Sequence, residues 1–227
     1  MRTFIAVVFL LSSELVALAD PLDDANTAYE KGDFGSAHKL YSQLALQGDR
    51  TAQFRLGVLY EDGKGGVKDS REAIRWYLVA SAQGSSEAAY NLGRLYHDGR
   101  GIPQNHARAR RWYLVAAEQQ DTRAAVNLGV MNASGEGGPR DYRKAIEWFL
   151  HAAQRGDDRA KINMGTMYFN GQGVPRDMVR AHMWYNLAAA HGDPDAIQER
   201  ASVAQRMSAS QIARAQHMAS EKQDYFP

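Results

Sequence analysis

A strict 36-residue period constrains this chain more than any other feature. Ala37, Ala73, Ala109, Ala145 and Ala181 stand 36 apart, and three residues beyond them come Leu40, Trp76, Trp112, Trp148 and Trp184. The next position is aromatic every time: Tyr41, Tyr77, Tyr113, Phe149 and Tyr185. A second block keeps the same register, as Leu56-Gly57, Leu92-Gly93, Leu128-Gly129 and Met164-Gly165. Columns held in phase over so much of a chain mark a stacked architecture, in which no unit can bury its apolar face without its neighbours.

Each period reads as two helices. The stretch from Ser85 to Gly99 places Ala88, Ala89, Leu92, Leu95 and Tyr96 on one helical face, and the stretch from Asn105 to Gln120 does the same with Ala109, Trp112, Tyr113 and Ala116. Start signals recur with the period. Asp49, Ser85, Asp121, Asp157 and Asp193 occupy the N-cap of the first helix, and Asp69, Asn105, Asp141 and Asp177 that of the second. Of the 20 glycines, most fall at helix ends or in the loop inside each unit. Gly57, Gly93, Gly129 and Gly165 do not; they sit inside the first helix, where glycine costs about 1 kcal/mol relative to alanine. Their common phase predicts a neighbouring helix or aromatic ring too close to admit a methyl group.

The ends differ from the middle. Met1 and Arg2 precede an apolar run from Phe4 to Leu11, and Ala17-Leu18-Ala19 follows before Asp20. This is the pattern of a secretory signal peptide over residues 1–19, with cleavage after Ala19, and the apolar run is too short to span a bilayer. No membrane insertion is expected once it is removed. The chain has no cysteine, which excludes disulfide scaffolds, thiolate metal sites, cysteine nucleophiles and a lipidated N-terminal cysteine. A formal charge of +1 provides no whole-molecule field for nucleic acid.

The unit that runs from Ala88 through Leu92-Gly93 to Trp112-Tyr113 and Ala117 resembles the Sel-one-like repeat, a subclass of the tetratricopeptide-like solenoids. The resemblance is close over about residues 50–192. It implies an all-α fold, a right-handed α-α superhelix of antiparallel helix pairs, with about 12 helices after the signal peptide. The domain reading is a signal peptide over 1–19, then a tetratricopeptide-like unit and four 36-residue Sel-one-like repeats over 20–193, then capping helices and a frayed tail over 194–227. The fourth unit departs from the pattern. Asn132 stands where the other units carry Tyr60, Tyr96 and Tyr168, and Gln120 replaces the glycine that ends the second helix elsewhere. The resemblance also implies a scaffold role, as an adaptor that binds other envelope proteins.

Motifs for chemistry are absent. The seven histidines form no zinc-binding spacing, the glycine-rich loops join two helices rather than a strand and a helix, and no nucleophile elbow occurs. No catalytic residue, metal site or cofactor is therefore expected. The Trp and Tyr columns are read as inter-helix packing. The cluster Arg108, Arg110 and Arg111 is read as a solvated helix face. The candidate partner-binding residues lie on the first helices, which line the concave face in tetratricopeptide-like arrays. They are the column Arg55, Asn91, Asn127 and Asn163, extended by Tyr90, Arg94 and His97. Amides repeating there can bond an extended peptide, since each offers both a donor and an acceptor. The expected function is a periplasmic or secreted, monomeric, non-catalytic scaffold for another protein or peptide. The alternative, a hydrolase of cell-wall or other secreted material, needs convergent acid and base residues that the repeat columns do not supply.

Overall fold

The computed structural model describes residues 20–66 and 68–221; residues 1–19, read from sequence as a signal peptide, and the last residues of the tail lie outside them. Among the described residues there are twelve helices and no strand. An opening pair, α1 (Pro21–Glu30) and α2 (Phe34–Leu46), precedes four repeat pairs: α3 (Arg50–Asp62) with α4 (Ser70–Ala82), α5 (Ser86–Asp98) with α6 (His106–Glu118), α7 (Thr122–Ser134) with α8 (Tyr142–Ala153), and α9 (Asp158–Asn170) with α10 (Met178–Ala189). Two further helices, α11 (Pro194–Ala204) and α12 (Ala209–Ser220), close the array. No helix among the described residues is long and apolar enough to cross a membrane.

Local chemistry explains these boundaries. Every expected N-cap is made: Asp49, Ser85, Asp121, Asp157 and Asp193 accept from the backbone N–H three residues on, and Asp69 and Asp141 accept from two N–H groups each. Such caps contribute about 1 kcal/mol apiece. Inside each unit the loop is tied by one recurring bond, from the backbone N–H of the second helix's N-cap to a carbonyl in the last turn of the first helix. It joins Asp69 to Tyr60, Asn105 to Tyr96, Asp141 to Asn132 and Asp177 to Tyr168.

The aromatic column fills the core of each pair. Tyr77, Tyr113, Phe149 and Tyr185 are buried beneath the glycine of their own unit's first helix. A β-carbon at Gly57 would stand 2.6 Å from the Tyr77 ring, one at Gly93 2.5 Å from Tyr113, and one at Gly165 2.6 Å from Tyr185. At Gly129 the Phe149 ring is equally close. The close approach inferred from the glycine phase is therefore made, and its agent is an aromatic ring. The tryptophans bind units to one another. Trp76 of α4 packs on the core of α1–α3, and Trp112 of α6 joins the core of α4 and α5 to the larger one beyond.

The fourth unit replaces what it lacks. Gln120 takes the left-handed conformation that glycine adopts at the other four positions, with φ 68°. Asn132 is buried, donates to the Leu128 carbonyl at 2.7 Å, and accepts from the Arg110 guanidinium. Arg110 is thus part of the packing; Arg111 is exposed, and Arg108 lies over the Tyr96 ring at 5.4 Å. At the C-terminal end, Ala215 and Ala219 of α12 join the core that contains Met183, Trp184 and Leu187 of α10, so the last two helices cover the final repeat.

Candidate functional site: an inner groove between repeats

First helices of neighbouring units meet where α5 touches α7. Between α5, α6 and α7 is a groove of about 270 Å³, lined by Tyr90, Arg94, His97, Asp98, Tyr113, Asn127, Val130 and Met131. It brings together four of the seven residues expected from sequence: Tyr90, Arg94, His97 and Asn127.

Each of these side chains is held. Arg94 pairs with Glu61 of the preceding unit. Glu61 is buried on α3 and accepts from the Tyr77 hydroxyl at 2.9 Å, so one carboxylate ties α3, α4 and α5 together. The Tyr90 ring lies under the Arg123 guanidinium at 4.2 Å, and Arg123 is fixed by Asp121 at 2.6 Å. His97 lies between two carboxylates, with Nδ1 3.0 Å from Asp98 and Nε2 3.2 Å from Glu136. Burial opposes the charged imidazole, but the two carboxylates outweigh it and raise the His97 pKa above the ordinary 6.5.

The asparagine column divides. Asn91 faces the Tyr77 hydroxyl and Asn127 the Tyr113 hydroxyl, so both amides take part in the packing of their own neighbourhood. At the next unit Phe149 has no hydroxyl to offer an amide, and Asn163 on α9 is half-buried. Arg55 on α3 lies over the rings of Tyr29 and Phe54, 5.9 Å from each, away from the groove between α5 and α7. Sequence reasoning missed Glu61, Asp98, Val130 and Met131. Glu61 was legible in principle, because it shares the phase of His97 exactly 36 residues earlier.

An α-helical repeat solenoid with a polar and aromatic groove between neighbouring units is the class of protein these features define. A family model for the Sel1 repeat matches residues 27–49, 50–85, 86–121, 122–157 and 158–193. The chain belongs to the Sel1-repeat family, whose fold is that of a protein-interaction scaffold. Among solved structures it is similar to a Sel1 repeat protein from Oxalobacter formigenes, at 34% identity, with 81% of this chain and 75% of that chain covered and a TM-score of 0.75. It is also similar to a protective antigen of uropathogenic Escherichia coli strains, at 28% identity and a TM-score of 0.52. That match covers 91% of this chain and 53% of the antigen. An immunity protein from Pseudomonas aeruginosa shares the fold alone, at 17% identity and a TM-score of 0.50, with 99% of this chain and 90% of that one covered. No curated protein matches the sequence.

Proposed function

We propose that the protein is a periplasmic or secreted, monomeric, non-catalytic adaptor that binds a protein or peptide partner along its inner face. The observation that carries this reading is the groove in which Tyr90, Arg94, His97 and Asn127 converge beside the apolar Val130 and Met131. An aromatic ring, apolar contacts and fixed polar groups in one trough suit a peptide segment, which needs side-chain pockets and backbone partners together. The export step is supported by the basic start, apolar run and Ala17-Leu18-Ala19 of the first nineteen residues. The lack of cysteine means that this scaffold does without disulfides. A hydrolase has no observation in its favour.

The test is cross-linked affinity capture from the envelope fraction with the wild-type protein and with Val130→Asp. Val130 is 44% exposed, so a charge there alters the groove without entering the core. A partner held by the wild type and lost from the variant is the expected result. An identical set of captured proteins from both would place binding elsewhere on the molecule.

A further inference from the structure

Three potential metal ligands meet at the junction of the α5–α6 and α7–α8 pairs: His97 in the last turn of α5, His106 in the first turn of α6, and Glu136 in the loop after α7. One ligand atom from each lies within 4.8 Å of the other two. Glu136 Oε2 is 3.2 Å from His97 Nε2 and 3.8 Å from His106 Nδ1. Two ligands about 2.0–2.1 Å from a tetrahedral zinc ion are separated by roughly 3.3 Å, so the three atoms need only small movements to take one ion between them.

Further observations make this more than proximity. His106 Nδ1 is shielded from solvent and has no hydrogen-bond partner, a state that costs free energy in a polar atom. His97 turns its other nitrogen to Asp98 at 3.0 Å. A carboxylate on the far nitrogen fixes the tautomer of a ligating histidine and strengthens it as a donor. Asp98 is itself held by Arg100 at 2.9 Å.

The backbone that builds the junction is common to the array, whereas the ligands are particular to this one. A β-carbon on Gly137 would stand 2.5 Å from the His106 carbonyl oxygen, so the glycine lets the loop rest on the start of α6 and brings Glu136 to the histidines. Gly101 and Gly173 seat their loops in the same way on Ser70 and Tyr142. At those junctions the three positions hold Glu61, Ser70 and Arg100, or Ala133, Tyr142 and Gln172. In the latter, a single 3.5 Å bond from Gln172 to Tyr142 is what joins them. The fold therefore closes without a ligating triad.

We propose that His97, His106 and Glu136 form a binding site for one divalent transition metal ion, with zinc as the best match to two imidazoles and a carboxylate. All three side chains are partly exposed, which leaves a fourth position open to water or to a donor from outside the chain. The site lies beside the groove and shares His97 with it, yet it stands without the partner-binding reading.

Calorimetric titration of the chelator-treated protein with zinc chloride at pH 7.5 tests this, with cobalt(II) absorption as a geometric readout. One ion per chain and the intense visible bands of four-coordinate cobalt are expected. His106→Ala and Glu136→Gln should each weaken binding by more than about 100-fold while the helical circular dichroism is kept, and Asp98→Asn should weaken it by about 10-fold. Absence of binding by the wild type would overturn the proposal. So would one-to-one binding that survives both His106→Ala and Glu136→Gln, because the ion would then sit on other histidines.

Discussion

Replacing Gly93 by alanine sets two opposed effects against each other. In an open helix the exchange stabilises by about 1 kcal/mol, because glycine has more backbone freedom to lose. Here the new methyl carbon would lie 2.5 and 2.6 Å from two ring carbons of Tyr113, where carbon atoms normally rest about 3.5–4.0 Å apart. The ring must move by about 1 Å. It is buried, lies 5.8 Å from the Tyr90 ring, and has its hydroxyl turned to Asn127, so movement disturbs the groove side as well. Overpacking of this kind costs about 1–3 kcal/mol, and the backbone site is rigid, which favours the upper part of that range. The net loss is about 1–2 kcal/mol. For a protein of this size that lowers the melting temperature by about 2–8 °C. Thermal unfolding followed by circular dichroism measures it, and Gly93→Ala in a Tyr113→Leu background should be less harmful than in the wild type. A higher melting temperature for Gly93→Ala would show that the ring yields freely and that the glycine column has another cause.

Gln120→Gly should stabilise the protein by about 0.5–1 kcal/mol in urea unfolding, because a side chain in the left-handed region is strained; a lower midpoint would refute this. Arg94→Ala should cost about 1–3 kcal/mol by stranding the buried Glu61 carboxylate, whereas Arg75→Ala, whose exposed side chain pairs with Glu72, should change stability by less than about 0.5 kcal/mol. Equal effects in a urea series would remove the special role of the α3–α5 tie. Burial pushes the hydroxyl pKa values of Tyr77 and Tyr113 well above the ordinary 10.0. The folded state then keeps those protons longer than the unfolded one, so their contribution is complete below pH 10 and falls as the pH rises beyond it. Urea midpoints measured from pH 8 to 11 should drop only at the alkaline end; a flat profile would contradict the burial of the hydroxyls.

How far the sequence could be read depends on the range of each interaction. The Asp and Ser caps were legible because a cap is decided within four residues, and the two-helix unit followed from them and from the apolar spacing. The glycine column was legible as a need for closeness. Its partner, the aromatic ring of the helix that follows in the same unit, became visible only with the pair folded. Asn91 and Asn127 show the opposite case. From sequence they are repeating amides suited to a peptide; in the structure they face the hydroxyls of Tyr77 and Tyr113, a contact across two helices that no local pattern announces.

By itself the sequence determined the architecture: a period of 36, helix pairs with marked starts, and a column of tryptophans are sufficient for a solenoid, because each depends on near neighbours or on a repeated contact. The tertiary structure decided where unlike units meet. His97, His106 and Glu136 are separated by up to 39 residues, and Glu61 lies 33 residues before Arg94. The histidines and Glu136 meet because one unit's loop is seated on the start of the second helix of the unit before it, and Glu61 meets Arg94 because α3 and α5 belong to successive units. Repetition fixes that seating at every junction, but the chemistry of a junction depends on residues that are not repeated, and only the folded stack brings those together.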